Sequence, residues 1–322
     1  MEYSGQINKY KINRPLTEEE RAEQLKPKKR FDVLPHYNLS VIKVNSAYLE
    51  IVDKFYAWRG MVFVLGVIFA AMVCIALIYG FLPPDTTGSS IRTYNRSEYL
   101  YFLAAISLMG IPTVIFCILL ALRESFTYTH YPIRLNRKNR MVYVFRRNGT
   151  VMSASWDDLF FTFDKGGYDS VLRAVNWNIR GHLLDADGVT VKETFAFPIY
   201  STKKDELLNY WEFVRRYMEE GPAKLIGSGE GQVEICHPIA DRKESFGWGM
   251  QLIYSHMARV PIMFWIFSPF LTLIGLARYL ANLTCDVPVW PKSVESACVI
   301  DPGDPYARDA RNNPPNLRWL TA

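Results

Sequence analysis

The chain has 322 residues, of which 49% are hydrophobic and 14% aromatic, which excludes a disordered chain and requires a large buried apolar surface. The net charge of +5 is modest, but residues 123–150 hold seven Lys/Arg against one acid, so the position of the charge matters more than its total. The five cysteines include no C-x-x-C pair and no histidine at metal-ligand spacing, which argues against a structural zinc site.

Residues 1–60 form a polar N-terminal region with a basic bias of eleven Lys/Arg against eight acids. Within it, Thr17 stands three residues before Glu20. This spacing is a capping box, in which each side chain bonds the other residue's backbone N–H, and it predicts a short helix.

Two uncharged apolar segments follow, at residues 61–82 and 100–122. Each is as long as the roughly 20 residues that a helix needs to cross a bilayer core of about 30 Å. The sequence therefore predicts a hairpin of two transmembrane helices over residues 61–122. Both flanks of this hairpin are richer in Lys/Arg than the turn at 83–99, so the positive-inside rule places the two flanks in the cytoplasm.

Strand patterns begin at Ile133 and continue to Ala196, and we count six or seven strands. The segment MVYVF at 141–145 is β-branched and aromatic on both faces, which indicates a central strand. Asn148-Gly149 predicts a type I′ hairpin turn, in which both central residues have positive φ.

A single amphipathic helix follows the strands. Thr202 with Asp205 predicts its cap, and Gly221-Pro222 predicts its end. Its apolar positions follow helical spacing at Leu207, Trp211, Val214 and Met218. The predicted fold class is an α+β membrane protein whose cytoplasmic domain, residues 123–225, is an antiparallel barrel or sheet closed by one helix, as in pleckstrin-homology-like domains.

Beyond this domain we expect a linker at 226–258, which includes the glycine-rich GSGEG, and a third hydrophobic helix at 259–284. Its uncharged run covers only 260–277 and contains Pro261 and Pro269. This length is at the lower limit for a span, so both a transmembrane and a re-entrant or interfacial helix stay open, with a slight preference for the second. Residues 285–322 are expected to be a Pro-rich tail.

The basic run after the second apolar segment has three interpretations: a nucleic-acid surface, a lipid contact, or the flank of a membrane helix. A nucleic-acid surface needs exposed aromatics between the basic residues, whereas Tyr143 and Phe145 alternate with apolar residues and should face a core. We therefore expect no nucleic-acid partner. The run is best explained as an orientation signal with weak contact to anionic lipid.

No catalytic signature is present in the sequence. The five histidines lie far apart, and no G-x-S-x-G elbow or Cys-His signature accompanies them. We expect no enzyme activity, no cofactor and no metal. A membrane-anchored hydrolase with an assembled His/Asp site is the least favoured alternative.

Three stretches carry a resemblance to a known family: PIRLNRKNRMVYVFR followed by WDDL, YWEFVRRYMEEGP, and GLARYLANLTCDVPVWPKSVESACVIDPGDPY. They resemble a family of bacterial inner-membrane proteins of undefined biochemistry, whose genes often lie beside type VI secretion effectors and their spike proteins. The resemblance covers most of the chain after Arg59. It implies an immunity or accessory protein that binds a secreted toxin, and it supplies no catalytic residues.

The functional expectation is thus a non-enzymatic, multi-pass inner-membrane protein that contacts the phospholipid bilayer and a toxin or effector, with homo-oligomerisation left open. The alternative is a membrane-surface scaffold or lipid sensor. We expect exposed residues of the basic meander and the tail to contact the partner or lipid: Arg134, Arg137, Lys138, Arg146, Arg147, Trp290 and Tyr306.

Overall fold

The computed structural model describes residues 2–7, 9–81, 96–169, 173–226, 232–257 and 261–318. The chain folds as an α+β protein that divides into two compact units. The β domain comprises Met1–Ala57, Tyr128–Trp248 and Asp286–Ala322, and the helical unit comprises Trp58–Thr127 and Gly249–Cys285. Most of the turn predicted at 83–99, and residues 227–231 of the GSGEG stretch, lie outside the described residues.

The strands are β1 (Tyr3–Ser4), β2 (Tyr10–Lys11), β3 (Arg14–Pro15), β4 (Gln24–Leu25), β5 (Val41–Val44), β6 (Tyr48–Ile51), β7 (Ile133–Asn136), β8 (Met141–Phe145), β9 (Val151–Ser155), β10 (Leu159–Asp169), β11 (Ala174–Leu184) and β12 (Thr190–Ser201). The helices are α1 (Glu18–Ala22), α2 (Met61–Phe81), α3 (Arg96–Leu122), α4 (Lys204–Glu220), α5 (Ala223–Ile226), α6 (Phe246–Met257), α7 (Pro261–Leu283), α8 (Lys292–Ala297) and α9 (Pro315–Arg318).

Two five-stranded antiparallel sheets form most of the β domain, and β1 pairs with β2 in a separate two-stranded sheet. The first sheet has the order β3-β12-β11-β10-β4, and the second has the order β5-β6-β7-β8-β9. Strands β3 to β6 come from the region that the sequence analysis treated only as a polar N-terminal segment. They escaped notice because they are two to four residues long, too short to show an alternating pattern.

The main core of the β domain is built from residues of both sheets and from α4. It includes Ile133 and Val144 of the second sheet, Phe161 and Ile179 of the first, and the fully buried Trp211 of α4. The prediction that the segment 141–145 is a central strand is confirmed, because β8 pairs with both β7 and β9 and is buried on both faces.

The predicted end of α4 is confirmed, and its predicted cap is not. The helix ends at Glu220, and Gly221 is its C-cap residue with a φ of +91°. At the other end the N-cap residue is Lys203, without a side-chain capping bond, so the Thr202 cap was wrong. Ser201 takes over part of this role, since its Oγ accepts from the Lys203 amide at 3.0 Å and donates to Glu206 at 2.8 Å.

The turn between β8 and β9 also differs from the prediction. Only Gly149, at φ +78°, has positive φ, whereas Asn148 does not. The Gly149 amide donates to the Arg146 carbonyl at 3.0 Å, and the Arg146 amide donates to the Thr150 carbonyl at 2.9 Å. This is a three-residue hairpin loop with glycine in the left-handed position, and not the two-residue type I′ turn.

Among the residues that the structure describes, three helices are long and apolar enough to cross a membrane: Tyr56–Tyr79, Tyr99–Leu122 and Trp265–Leu283. Helices α2 and α3 pack closely at small residues, because a Cβ on Gly66 would lie 2.9 Å from the Cys117 carbonyl oxygen. Side chains of α2 and α3 that face away from the other helix are exposed, and Leu108 is 77% exposed. Where a linker was expected at 226–258, residues Phe246–Met257 form α6.

Candidate binding site

The predicted contact residues of the basic meander do not form one exposed patch. Arg134 is buried, with 4% of its side chain exposed. Its Nη2 donates to Glu50 Oε2 at 2.7 Å, and its guanidinium lies 4.4 Å from the Tyr48 ring and 4.8 Å from the Trp290 ring. The expectation that Arg134 and Trp290 are exposed was therefore wrong, since they pack against each other inside the β domain.

The other predicted contact residues lie apart from this cluster. Lys138 pairs with Asp301 at 2.7 Å on the surface, and Arg146 pairs with Glu193 at 2.6 Å. Arg137 and Arg147 are half-buried, and a Cβ on Gly221 would lie 3.1 Å from the Arg137 guanidinium. Tyr306 is half-buried against the main core. Whether these side chains contact a partner stays a prediction.

A charged pocket of about 400 Å³ opens elsewhere on the β domain. Its lining comes from β5, the loop before α6 and the C-terminal segment: Lys43, His237, Pro238, Ala240, Asp241, Arg242, Asp309, Ala310 and Arg311. Three of these side chains are cationic and two are acidic. A pocket of this size admits one or two side chains of a partner or a small anion.

His237 forms part of the pocket wall, but both of its ring nitrogens are engaged. Nε2 lies 2.5 Å from the Leu39 carbonyl oxygen, so it carries the proton and donates, and Nδ1 accepts from Trp248 Nε1 at 3.2 Å. A histidine that bonds through both nitrogens has no free lone pair and no exchangeable proton facing the pocket. His237 therefore shapes the pocket wall and does not act there as an acid or base.

The charges on the pocket rim are unequally paired. Arg311 binds Asp309 through two nitrogens, at 2.5 and 3.0 Å. Lys43 and Arg242, in contrast, have no hydrogen-bonded or ion-paired acceptor among the described residues. Of the three cations that line the pocket, Arg311 is already bound to Asp309, so Lys43 and Arg242 are the two that can meet an acidic group of a partner.

Sequence reasoning missed Lys43 and Arg242. Lys43 is one basic residue in a short strand, and Arg242 lies in the segment expected to be a linker. The only signal was the charge cluster Asp241-Arg242-Lys243, which on its own indicates a solvated loop.

A buried polar cluster occupies the outer face of the first sheet. Glu20, Asp164 and His182 each offer one ligand atom, and these atoms lie within 4.8 Å of one another. The Glu20 carboxylate accepts from Arg14 at 2.5 Å, and Asp164 pairs with Arg180 at 2.5 Å. His182 is fully buried and bonds Thr194 through Nδ1.

The pKa shifts in this cluster follow from burial and from the two arginines. Burial would raise the pKa of Glu20, but the bonds from Arg14 and from the Thr17 amide lower it to about 2. Burial lowers the pKa of His182 to about 4 against the attraction of Glu20, so the ring is neutral at physiological pH. Burial raises the pKa of Asp164.

The three ligand atoms could hold a divalent cation by position, but the charges disfavour it. The carboxylates of Glu20 and Asp164 are balanced by Arg14 and Arg180, so a bound divalent ion would leave a partly buried cluster with a net charge of +2. Uncompensated charge in such surroundings is costly. The cluster is therefore best explained as an ion-pair network that holds α1 on the sheet.

Comparison with known proteins gives one match. No curated protein and no solved structure matches the chain. Residues 111–302, more than half of the chain, match a family described only as one of unknown function. The matched region begins inside α3 and includes strands β7 to β12, α4, α7 and α8. The chain belongs to the family of unknown function DUF6708.

Proposed function

We propose that the protein is a non-enzymatic membrane anchor that presents its β domain to a protein partner, and that the partner is a secreted toxin of type VI secretion. In this proposal α2 and α3 are a transmembrane hairpin of the bacterial inner membrane, and the β domain is a cytoplasmic, pleckstrin-homology-like module. The link to secretion rests on the resemblance of the three stretches described above. The protein would act as an immunity or accessory factor.

The observation that carries the binding role is the charged pocket with Lys43 and Arg242 on its rim. Two cations without an acceptor beside a cavity of about 400 Å³ suit an acidic side chain or segment of a partner. Binding of this kind needs only a surface with a few dominant contacts, and not an active site.

The proposal predicts which cations matter for binding. Reversing the charge in Lys43→Glu and Arg242→Glu should weaken a complex with an acidic partner by at least about tenfold, because each removes an attraction and adds a repulsion. Lys192→Glu is the matched control. Lys192 is exposed, as Arg242 is, whereas Lys43 is half-buried. Lys192 lies 3.7 Å from Asp185 and does not line the pocket.

The experiment is co-expression of the full chain with the toxin encoded beside it, followed by measurement of cell survival and by co-purification. Protection and a complex that both variants weaken, and the control does not, would support the proposal. No protection and no complex would refute it. A complex that both variants leave intact would move the contact away from the pocket.

The scaffold or lipid-sensor alternative is an outcome of a second measurement. The full chain in nanodiscs of neutral lipid, compared with nanodiscs that contain anionic lipid, reports whether lipid charge alters the surface around Lys43 and Arg242. If the side chains of Lys43 and Arg242 become less accessible only in the nanodiscs that contain anionic lipid, the result favours the lipid role over the protein partner.

A further inference from the structure

An exposed loop connects β4 and β5 of the β domain, and its first part, residues 26–34, is rich in positive charge. Asp32 is the one acid within these nine residues. We call residues 26–34 the N-terminal basic loop. Four of its first five residues are cations, and all four are exposed: Lys26, Lys28, Lys29 and Arg30.

The N-terminal basic loop is held against α4 by its backbone. The Phe31 amide donates to Glu212 Oε1 at 3.1 Å, and Arg216 Nη2 donates to the Val33 carbonyl at 2.8 Å. Glu212 is fully buried and also accepts from Arg216 Nε at 2.8 Å, so the two anchors hold each other. The loop therefore presents its cations from a fixed backbone, which reduces the entropy that binding costs.

Three of the four cations have no acidic partner. Lys28 bonds Glu219 at 2.8 Å, although 73% of its side chain stays exposed. Lys29 lies 5.0 Å from the Phe31 ring, a contact that does not neutralise its charge. Among the described residues, no carboxylate forms an ion pair with Lys26, Lys29 or Arg30.

The acids at the end of α4, beside this loop, are already bound to other cations. Glu219 accepts from Arg140 Nη2 at 2.7 Å in addition to its bond with Lys28. Glu220 accepts from Arg215 Nη2 at 2.7 Å. These acids therefore cannot compensate the remaining charge of the loop without giving up a bond.

The basic meander, to which the sequence analysis assigned the lipid contact, differs from this loop. Arg134 is buried against Glu50, Lys138 pairs with Asp301, and Arg146 pairs with Glu193. Most of the charge that the sequence analysis assigned to lipid is therefore compensated inside the domain, whereas the charge of the N-terminal basic loop is open to solvent.

We propose that the N-terminal basic loop docks the β domain on an anionic lipid surface, with Lys26, Lys29 and Arg30 facing the headgroups. Near such a surface each Lys or Arg strengthens the attraction about fivefold, so three together contribute on the order of a hundredfold. The chain also connects the β domain to helices that are apolar enough to cross a membrane. A domain tethered in this way needs less affinity than a free one to stay bound.

Two side chains of the loop favour lipid over nucleic acid. Phe31 is its one aromatic residue and packs against the main core, so the loop offers no free ring on which a base can stack. Leu34 is 59% exposed, and segments that bind lipid surfaces combine cations with apolar side chains that enter the headgroup region. This docking does not depend on the toxin partner proposed above.

The test must report on the loop itself, because the apolar helices keep the chain in a bilayer whether or not the loop binds. Lys28 is the reporter, since it lies within the loop and is exposed enough to be acetylated. Mass spectrometry measures its acetylation rate in the full chain, in nanodiscs of phosphatidylcholine and in nanodiscs that contain phosphatidylserine. Phosphatidylserine should slow the reaction at least about threefold, and salt of about 0.5 M should remove the difference, because it shortens the Debye length to about 4 Å.

The variant Lys26→Gln/Lys29→Gln/Arg30→Gln removes the three uncompensated charges and keeps the reporter Lys28 with its bond to Glu219. Phosphatidylserine should no longer slow acetylation in this variant. The three side chains are exposed, so the variant should unfold at the temperature of wild type.

A matched control removes the same number of exposed cations from other parts of the β domain. Lys9→Gln/Lys11→Gln/Lys192→Gln changes the net charge equally and leaves the loop intact. Phosphatidylserine should slow Lys28 acetylation in this control as much as in wild type. If both triple variants lose the effect equally, the total charge of the domain attracts the lipid, and the assignment to the loop is wrong.

The remaining outcomes separate lipid from an acidic protein. Equal acetylation of wild-type Lys28 in the two lipids would overturn the proposal. Polyglutamate, added to the nanodiscs of phosphatidylcholine, is the probe for an acidic polypeptide. If polyglutamate slows the reaction and phosphatidylserine does not, the loop binds an acidic protein segment and the lipid assignment is refuted.

Discussion

The outer faces of the two five-stranded sheets of the β domain differ in the polarity of the residues that occupy them. On the second sheet the cover is largely apolar: Tyr143 and Phe145 pack with Trp290 and Val294, and the Arg134 guanidinium is bonded by Glu50 and stacked on rings. On the first sheet the cover is polar and contains Thr162, Asn178, His182 and Thr194, all nearly inaccessible to solvent.

The difference lies in how far the buried polar groups are satisfied. Arg134 uses Nε and Nη2 on Glu50 and Nη1 on Glu295, so its charge is fully compensated. On the first sheet, Asn178 Nδ2 and His182 Nε2 have no hydrogen-bond partner among the described residues. A satisfied network stabilises a fold, whereas an incompletely satisfied one responds to protons or ligands. We expect the second sheet to be rigid and the first to be responsive.

Removing the charge that compensates Glu50 should have the largest effect. Arg134→Met leaves the Glu50 carboxylate buried without its cation and should cost about 3–5 kcal/mol of unfolding free energy. Thermal unfolding in detergent, followed by tryptophan fluorescence, measures the loss. The double variant Arg134→Met/Glu50→Leu should recover part of it, because no uncompensated charge remains. If the single and double variants are equally unstable, the cost is one of packing and not of charge.

If the outer face of the first sheet responds to protons, the free energy of unfolding should fall in acid. The pKa of His182 is about 4 in the folded protein and 6.5 ordinarily, so the unfolded chain binds more protons between these values. The stabilising effect of a neutral His182 is complete above pH 6.5 and is lost as the pH falls to 4, by about 3 kcal/mol. Glu20, with a pKa of about 2 instead of 4.5, loses its contribution between pH 4.5 and 2.

The measurement is the unfolding free energy at several pH values from 7 downwards, with His182→Gln as the comparison. The variant cannot gain a proton at this position, so its stability should change less between pH 6.5 and 4.5 than that of wild type. This window lies above the range in which Glu20 titrates. Parallel pH curves for the two proteins would contradict the role given to His182.

Local patterns in the sequence predicted the parts of this fold that depend on neighbouring residues. The capping box is confirmed, because Glu20 N–H donates to Thr17 Oγ1 at 3.1 Å and Thr17 N–H donates to Glu20 Oε2 at 2.8 Å. The predicted end of α4, with Gly221 as the C-cap residue, is also confirmed. Both signals depend on residues within four positions of one another, so the local backbone geometry determines whether the cap forms.

The burial of Arg134 could not be predicted from the residues near it in the sequence. Glu50 precedes it by 84 residues, Glu295 follows it by 161, and chain that includes α2 and α3 separates Glu50 from Arg134. A basic run next to an apolar helix looks the same whether its charges face solvent or distant carboxylates. The candidate pocket could not be predicted for the same reason, because Lys43, Arg242 and Arg311 come from three segments that are distant in the sequence.

A smaller effect is expected where α1 lies on the first sheet. Thr17→Ala removes the capping bond to the Glu20 amide and should cost about 1 kcal/mol. Because Thr162 Oγ1 donates to the Glu20 carbonyl at 2.9 Å, loosening of α1 should also increase hydrogen exchange in β10. Thr17→Ser keeps the capping oxygen and should exchange as wild type does. Unchanged exchange in Thr17→Ala would mean that the arginine bonds alone hold α1.

The smallest effect is expected at an exposed ion pair on the side of the second sheet. Lys138 binds Asp301 at 2.7 Å, as closely as Arg134 binds Glu50, but the two side chains are 40% and 65% exposed. Water already solvates both charges, so Lys138→Met should cost less than about 1 kcal/mol, and added salt should reduce the difference further. Comparing the unfolding free energies of Lys138→Met and Arg134→Met therefore compares two ion pairs that have the same contact distance and different burial. A loss at Lys138 as large as that at Arg134 would show that contact distance, and not burial, decides how strongly this domain depends on its ion pairs.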